Sequence, residues 1–160
     1  MSPATGLTLD ADVATSTARF LTNLDNLGTY VPESLNVVSA AGATWDRAAS
    51  AYTLRYEYFG PRTLDQSGTA VSSPTGIVNA QISLKRPNAR RLNLDILNLL
   101  NAKSDDVEYY YGSWVQQDAR NPAYANNPTI NPLLGGSGVQ DYTFHPTEGR
   151  IVRLTYVLPF

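Results

Sequence analysis

The chain has 160 residues, enough for one ordinary domain, and only 16% of them are charged, whereas a soluble domain averages about a quarter. Twelve Lys and Arg residues against fourteen Asp and Glu residues give a net charge of -2, so the chain lacks the basic field that binding to nucleic acid requires. The sequence has no cysteine, which excludes disulfides and cysteine-based metal sites, and no run of about 18 apolar residues that predicts a transmembrane helix.

The strongest pattern along the chain is an alternation of apolar and polar residues, which predicts β-strands whose two faces meet different environments. Leu54, for example, lies between Thr53 and Arg55. The pattern recurs about six times, over residues 7–14, 35–45, 52–58, 78–85, 92–97 and 152–160. The sequence therefore predicts an all-β protein with antiparallel strands.

The polar positions of these strands carry charges of both signs, whereas the apolar positions and the turns carry few. The strands of a wide membrane barrel have this character, with lipid outside and water in the lumen. The charged residues predicted to face the lumen are Asp10, Asp12, Arg55, Glu57, Asp95 and Arg153. The alternative is a soluble antiparallel sheet with one wet face, which also produces alternation.

The connections between the predicted strands alternate in length. Residues 46–50 and 86–90 are short turns, whereas 21–32, 60–76 and 102–149 are long and rich in Gly, Pro, Asn and Ser. Short turns at one end and long loops at the other are the plan of a bacterial outer-membrane barrel. Aromatic residues fall near both ends, as in the girdles of such barrels: Trp45, Tyr52, Tyr156 and Phe160 near the short turns, and Phe20, Tyr30, Tyr58, Phe59, Tyr109, Tyr110, Tyr111 and Trp114 near the long loops.

Several segments from about residue 52 onward occur in an order and spacing that resemble a known family. They are Tyr58-Phe59-Gly60-Pro61-Arg62-Thr63-Leu64, Asn98-Leu99-Leu100-Asn101, Val107-Glu108-Tyr109-Tyr110-Tyr111, and Phe144-His145-Pro146 followed by Arg150. Together with the terminal strand, they resemble the C-terminal end of the TonB-dependent receptors of the Gram-negative outer membrane. The family often has an Arg-Leu-Pro-Gly-Glu-like segment after the tyrosines, where this sequence has Ser113-Trp114-Val115-Gln116-Gln117.

This resemblance implies a transmembrane barrel of about 22 strands around a plug domain, of which residues 1–160 supply roughly the final six strands and no plug. It implies a receptor in the bacterial outer membrane that takes up a scarce nutrient, such as siderophore-bound iron, by energy-coupled transport. The implied partners are the nutrient ligand, outer-membrane lipid, the TonB complex, which engages the N-terminal part of such receptors, and the barrel-assembly machinery. That machinery recognises a C-terminal pattern that Tyr156, Leu158 and Phe160 match. The alternative is a small, self-contained β-barrel or β-sandwich that binds a ligand without transport.

The longest connection contains the candidate ligand contacts. Its rings suit stacking against a polar ligand, and Tyr110, Trp114 and Tyr124 are the predicted contacts. The same rings also suit a strand extension with an aromatic girdle at the membrane interface. Asn98 and Asn101 are predicted to close a turn through hydrogen bonds of their side chains, without any ligand.

Signals for catalysis or for a bound metal are weak. His145 is the one histidine and has no companion ligands in the sequence around it, so we expect a structural loop residue, no metal site and no cofactor. Residues 135–139 contain Gly and Ser but miss the spacing of a nucleophile elbow. The chain is therefore predicted not to be an enzyme.

Overall fold

The structure is a computed structural model that describes residues 6–158 and contains antiparallel β-sheets with little helix. This confirms the all-β prediction. The strands are β1 (Gly6–Thr15), β2 (Val37–Asp46), β3 (Ser50–Phe59), β4 (Thr75–Lys85), β5 (Arg91–Leu97), β6 (Asp105–Ser113), β7 (Val139–Pro146) and β8 (Ile151–Val157). The helices are α1 (Gln116–Arg120) and α2 (Pro122–Ala125), with single 3-10 turns at Leu24–Asn26 and Pro132–Leu134. Across the described part of the chain, every helix is too short to cross a membrane.

The main sheet contains six strands in the order β1-β2-β3-β4-β5-β8, and every neighbouring pair is antiparallel. These are the six strands that the alternation predicts. The last of them ends at Val157, and Phe160, to which it was predicted to extend, lies outside the described residues. Within residues 6–158 the sheet stays open, with β1 and β8 at its edges.

Strands β6 and β7 form a separate two-stranded sheet, which we call the tyrosine hairpin. It occupies the long connection between β5 and β8, which the sequence predicts as a loop or as a strand extension with an aromatic girdle; these two segments are strands. Helices α1 and α2 lie between its strands. The first helix begins after Val115, whose backbone N–H donates to the Asp118 carboxylate at 2.9 Å.

The register of the main sheet places the apolar positions of all six strands on one side. Tyr52 lies opposite both Trp45 and Ile82, and the row continues through the next strands to Leu154. This apolar face carries Leu7, Leu9, Trp45, Tyr52, Leu54, Tyr56, Ile82, Leu94 and Leu154. Leu9 is 70% exposed and Leu154 is 67% exposed, so no other layer of the described chain covers the face.

Apolar burial is concentrated in a loop rather than between layers. Among the described residues, the buried apolar side chains are Leu64 and Ala70, both in the connection between β3 and β4. A soluble domain of this length instead buries the apolar side of its sheet against a second layer. The sheet in isolation therefore has no conventional core.

The two ends of the main sheet differ, as the sequence predicts. Two tight turns close one end, where the Arg47 backbone N–H donates to the carbonyl of Ser50 and that of Arg86 donates to the carbonyl of Arg90. All three long connections leave the other end. Near the short turns the rings of Trp45 and Tyr52 lie with their centroids 6.0 Å apart.

Candidate functional site

The side of the main sheet opposite the apolar face carries a network of charged residues, and we call it the polar face. Arg55 on β3 is its first centre: its Nη1 donates to Asp10 at 3.2 Å and its Nε donates to Glu57 at 3.3 Å. The second oxygen of Glu57 accepts a hydrogen bond from Asn79 at 3.4 Å. Asp12 lies on the same face, opposite Ala40.

A second charged cluster on the polar face connects β4, β5 and β8. The Asp95 carboxylate accepts hydrogen bonds from Gln81 at 2.6 Å and from Nε of Arg153 at 3.3 Å. The Asp95 side chain is 12% exposed, whereas the Arg153 side chain is 62% exposed. The six residues predicted to face a lumen therefore all lie on one side of the sheet, and five of them take part in ion pairs.

A cavity of about 420 Å³ lies on the polar face at the end with the long connections, and we call it the loop cavity. Its apolar floor consists of Phe59, Ile77, Leu97 and Ile151, all at polar-face positions near the strand ends. Residues 145–149, at the end of β7 and just after it, form a wall of the cavity. The volume falls within the range of pockets that bind small ligands.

Asn98 holds the wall of the loop cavity in place. Its side-chain amide donates to the carbonyls of Ala102 and Glu148, both at 3.0 Å, and its oxygen accepts from the Ala102 N–H at 2.8 Å. Nearby, the oxygen of Asn101 accepts from the backbone N–H of Arg150 at 2.9 Å. Both Asn residues have positive φ, a conformation that Asn tolerates better than most residues. The predicted turn is confirmed. The side chains of its two Asn residues also connect the beginning and the end of the long connection between β5 and β8.

The lining of the loop cavity is acidic. Its ionisable residues are Glu57, Asp106, His145 and Glu148, and no Lys or Arg lines it. His145 lies in β7 opposite Val107, so the prediction that it is a loop residue is wrong. Within residues 6–158, no group of His, Cys, Asp and Glu side chains is arranged to hold a metal ion.

The predicted ligand contacts Tyr110, Trp114 and Tyr124 do not form one cluster. The ring of Tyr110 contacts Tyr142 across the tyrosine hairpin, with centroids 5.1 Å apart, and Tyr142 contacts Phe144 at 6.1 Å with nearly parallel planes. In the described chain neither Trp114, just after β6, nor Tyr124, in α2, has a ring-to-ring contact. The sequence contains a signal for the observed cluster, because Tyr142 and Phe144 alternate with polar residues.

The tyrosine hairpin is held against the connection between β3 and β4 by polar contacts. Glu108 is buried and accepts a hydrogen bond from the Ser73 backbone N–H at 2.9 Å. A guanidinium nitrogen of Arg62 donates to the carbonyl of Asp106 at 2.8 Å. Two of the segments that carry the family resemblance, those around Arg62 and Glu108, therefore lie in contact although they are far apart in the sequence.

Asp65 organises the same β3–β4 connection. Its carboxylate accepts hydrogen bonds from the backbone N–H groups of Gly68 and Ala70, both at 3.0 Å, and from the hydroxyl groups of Ser67 and Thr69. Partial burial raises the pKa of Asp65, but the four hydrogen bonds together outweigh it, so the pKa lies below its ordinary value. The ionised carboxylate therefore stabilises the loop.

The predicted C-terminal recognition residues lie at the β8 edge. Tyr156 is on the apolar face opposite Leu92 and is exposed, and Leu158 is exposed just beyond the strand. Phe160 lies outside the described residues. The two described side chains are accessible to a partner or to lipid at an open strand edge.

Comparisons with protein families, curated proteins and solved structures find no match to the chain. A functional interpretation therefore depends on three features of the molecule itself. These are the exposed apolar face, the charged polar face and the loop cavity.

Proposed function

We propose that the chain is the C-terminal barrel part of a TonB-dependent receptor in the bacterial outer membrane. The observation that carries this proposal is the division of an open sheet into an exposed apolar face and a polar face with ion pairs. A large exposed apolar patch is unfavourable in water and marks a surface that binds a partner or a membrane. In a bilayer the same face contacts lipid, and the polar face lines a water-filled lumen.

The open edges support a larger barrel rather than a small closed one. Backbone N–H and C=O groups at the edge of a sheet have no water to bond with in the hydrocarbon region, so β1 and β8 must pair with further strands. A closed small barrel needs about eight strands, and the six of the main sheet stay open within the described residues. The barrel of a TonB-dependent receptor has about 22 strands, so the rest of such a receptor would supply the strands that pair with β1 and β8.

The position of the long connections supports the proposed orientation. In outer-membrane barrels the short turns face the periplasm and the long loops face the outside. The tyrosine hairpin and the loop cavity then lie at the extracellular end, where a nutrient such as siderophore-bound iron arrives. The TonB complex acts through the N-terminal part of such receptors, and the barrel-assembly machinery engages the C-terminal segment that carries Tyr156 and Leu158.

Because the chain has no cysteine, single Cys variants can test the orientation of the sheet. Leu54→Cys and Thr53→Cys label adjacent positions of β3 on the apolar and the polar face. An environment-sensitive fluorophore is attached to each, and the chain is folded into vesicles that contain a spin-labelled lipid. We expect strong quenching at position 54 and weak quenching at position 53. Equal quenching at the two positions would contradict the membrane proposal.

A further inference from the structure

We propose that the loop cavity binds a small organic cation, a molecule with an apolar body and one amine group. The proposal rests on the proposed function, because it identifies a ligand class for the extracellular end of that receptor. It concerns a site that combines an apolar floor with acidic walls, and not the aromatic residues of the tyrosine hairpin.

The size and floor of the loop cavity determine the body of the ligand. A volume of about 420 Å³ accommodates a ring system, and Phe59, Ile77, Leu97 and Ile151 offer it an apolar surface. Binding pockets typically combine such a surface with a few convergent polar groups that fix the orientation of the ligand. The wall that completes the cavity is positioned by the buried amide of Asn98, so it does not have to form on binding.

The charges of the walls determine the functional group of the ligand. Both oxygens of Glu57 already accept hydrogen bonds, from Arg55 and Asn79. In contrast, the carboxylates of Asp106 and Glu148 make no hydrogen bond or ion pair with the described residues, and both line the loop cavity. Two uncompensated carboxylates beside an apolar floor attract an ammonium group and repel an anion.

Arg62 contacts the backbone of this wall but does not neutralise its carboxylates. It donates to the backbone carbonyl of Asp106 rather than to the carboxylate, and it does not line the loop cavity. The carboxylate of Asp106 therefore remains available to a ligand. Since no Lys or Arg lines the cavity, an anionic metal chelate would find no counter-charge there.

Three probes with the same indole ring test the proposal: tryptamine, tryptophol and indole-3-propionate are cationic, neutral and anionic at neutral pH. The full chain is folded in a zwitterionic detergent, and binding is followed by NMR through the backbone amide signals of Asn98 and Gly149. We expect tryptamine to bind most tightly and indole-3-propionate least tightly. Equal binding of the three, or tighter binding of the anion, would overturn the proposal.

Variants separate binding in the cavity from partition into the micelle. Asp106→Asn and Glu148→Gln are each expected to weaken tryptamine binding by up to about five-fold, the range of a solvent-exposed ion pair, and to leave tryptophol binding unchanged. The matched control is Asp12→Asn, which removes a carboxylate from the polar face outside the cavity. Ile77→Trp should fill the cavity and abolish the shifts caused by all three probes.

The outcomes for the ligand class and for the receptor are distinguishable. If both carboxylate variants bind tryptamine as tightly as the unaltered chain, the cavity proposal is wrong, whatever the lipid-quenching experiment shows. If quenching is equal at positions 53 and 54 while tryptamine still binds with the expected preference, the membrane proposal fails and the cavity remains a binding site for organic cations.

Discussion

Replacing Leu54 by Arg tests the environment of the apolar face directly. Leu54 lies in the middle of the ten-residue strand β3, opposite Ala43 and Ala80, and is 49% exposed. If this face contacts water, the substitution replaces one exposed side chain by another and changes the free energy of unfolding by only about 0.5 kcal/mol. If the face contacts lipid, a charge near the middle of the bilayer destabilises the fold by about 2–4 kcal/mol. The two environments thus differ by more than the error of a stability measurement.

The assay is a urea titration of the chain folded into phosphatidylcholine vesicles, followed by tryptophan fluorescence. Thr53→Arg is the matched control, because it introduces the same charge one residue away on the polar face, opposite Thr44 and Gln81. We expect Leu54→Arg to lower the unfolding free energy by about 2–4 kcal/mol, the range for a charge on the lipid face of a membrane barrel, and Thr53→Arg to lower it much less. Equal effects of the two substitutions would refute the assignment of the faces.

Three further predictions concern the loop, the hairpin and the edges. Because the pKa of Asp65 is lowered on folding, its contribution to stability is fully present above the unfolded pKa of 3.8 and is lost as the pH falls through the lower folded pKa. The protection of the Gly68 and Ala70 amides against hydrogen exchange should decrease over the same pH range, and Asp65→Ala should remove this decrease. Glu108→Ala leaves the Ser73 N–H without its partner and should destabilise the docked hairpin by about 1–3 kcal/mol, measured as earlier proteolysis of the hairpin in urea than of the main sheet. The isolated chain should associate in detergent-free buffer because both edge strands and the apolar face are open; a stable monomer by light scattering would favour a soluble protein instead.

Strands with strict alternation were predictable because their two faces meet different environments. In β3 and β4 every second residue is apolar, and the register places Tyr52 against Ile82 and Leu54 against Ala80, as a common apolar face requires. Small residues blur the alternation in β2, but its pairing follows the same parity, with Trp45 opposite Tyr52. A shift of register by one residue would move each apolar side chain to the opposite face, so the pattern also constrains the pairing.

Alternation indicates only one strand of the tyrosine hairpin, β7, where Tyr142 and Phe144 alternate with polar residues. Tyr109, Tyr110 and Tyr111 follow one another, so their sequence gives neither a period of two nor a helical period. Both faces of the two-stranded sheet carry aromatic rings, and the pairing of Tyr110 with Tyr142 joins residues separated by two helices and a 3-10 turn. Local patterns do not report such a long-range pairing.

The loop cavity was missed for a related reason. Its floor comes from the ends of β3, β4, β5 and β8, and its wall depends on a hydrogen bond between Asn98 and Glu148, which are 50 positions apart in the sequence. The sequence identifies Asn98 as a turn residue, but it does not show which segment the amide will hold. A site assembled from strand ends and one side-chain hydrogen bond requires the tertiary structure.

The charges on the polar face also restrict what can cover that face. The cations of the ion pairs, Arg55, Lys85 and Arg153, keep about a third or more of their side-chain surface exposed. Covering them with an apolar layer would remove that hydration and cost several kcal/mol per ion, more than exposed ion pairs of this kind return. This face therefore requires water or a polar protein surface against it. The apolar face needs an apolar cover at the same time. A soluble sandwich would supply it with a second layer, which the described residues lack, whereas a membrane barrel with a hydrated lumen would supply it with lipid.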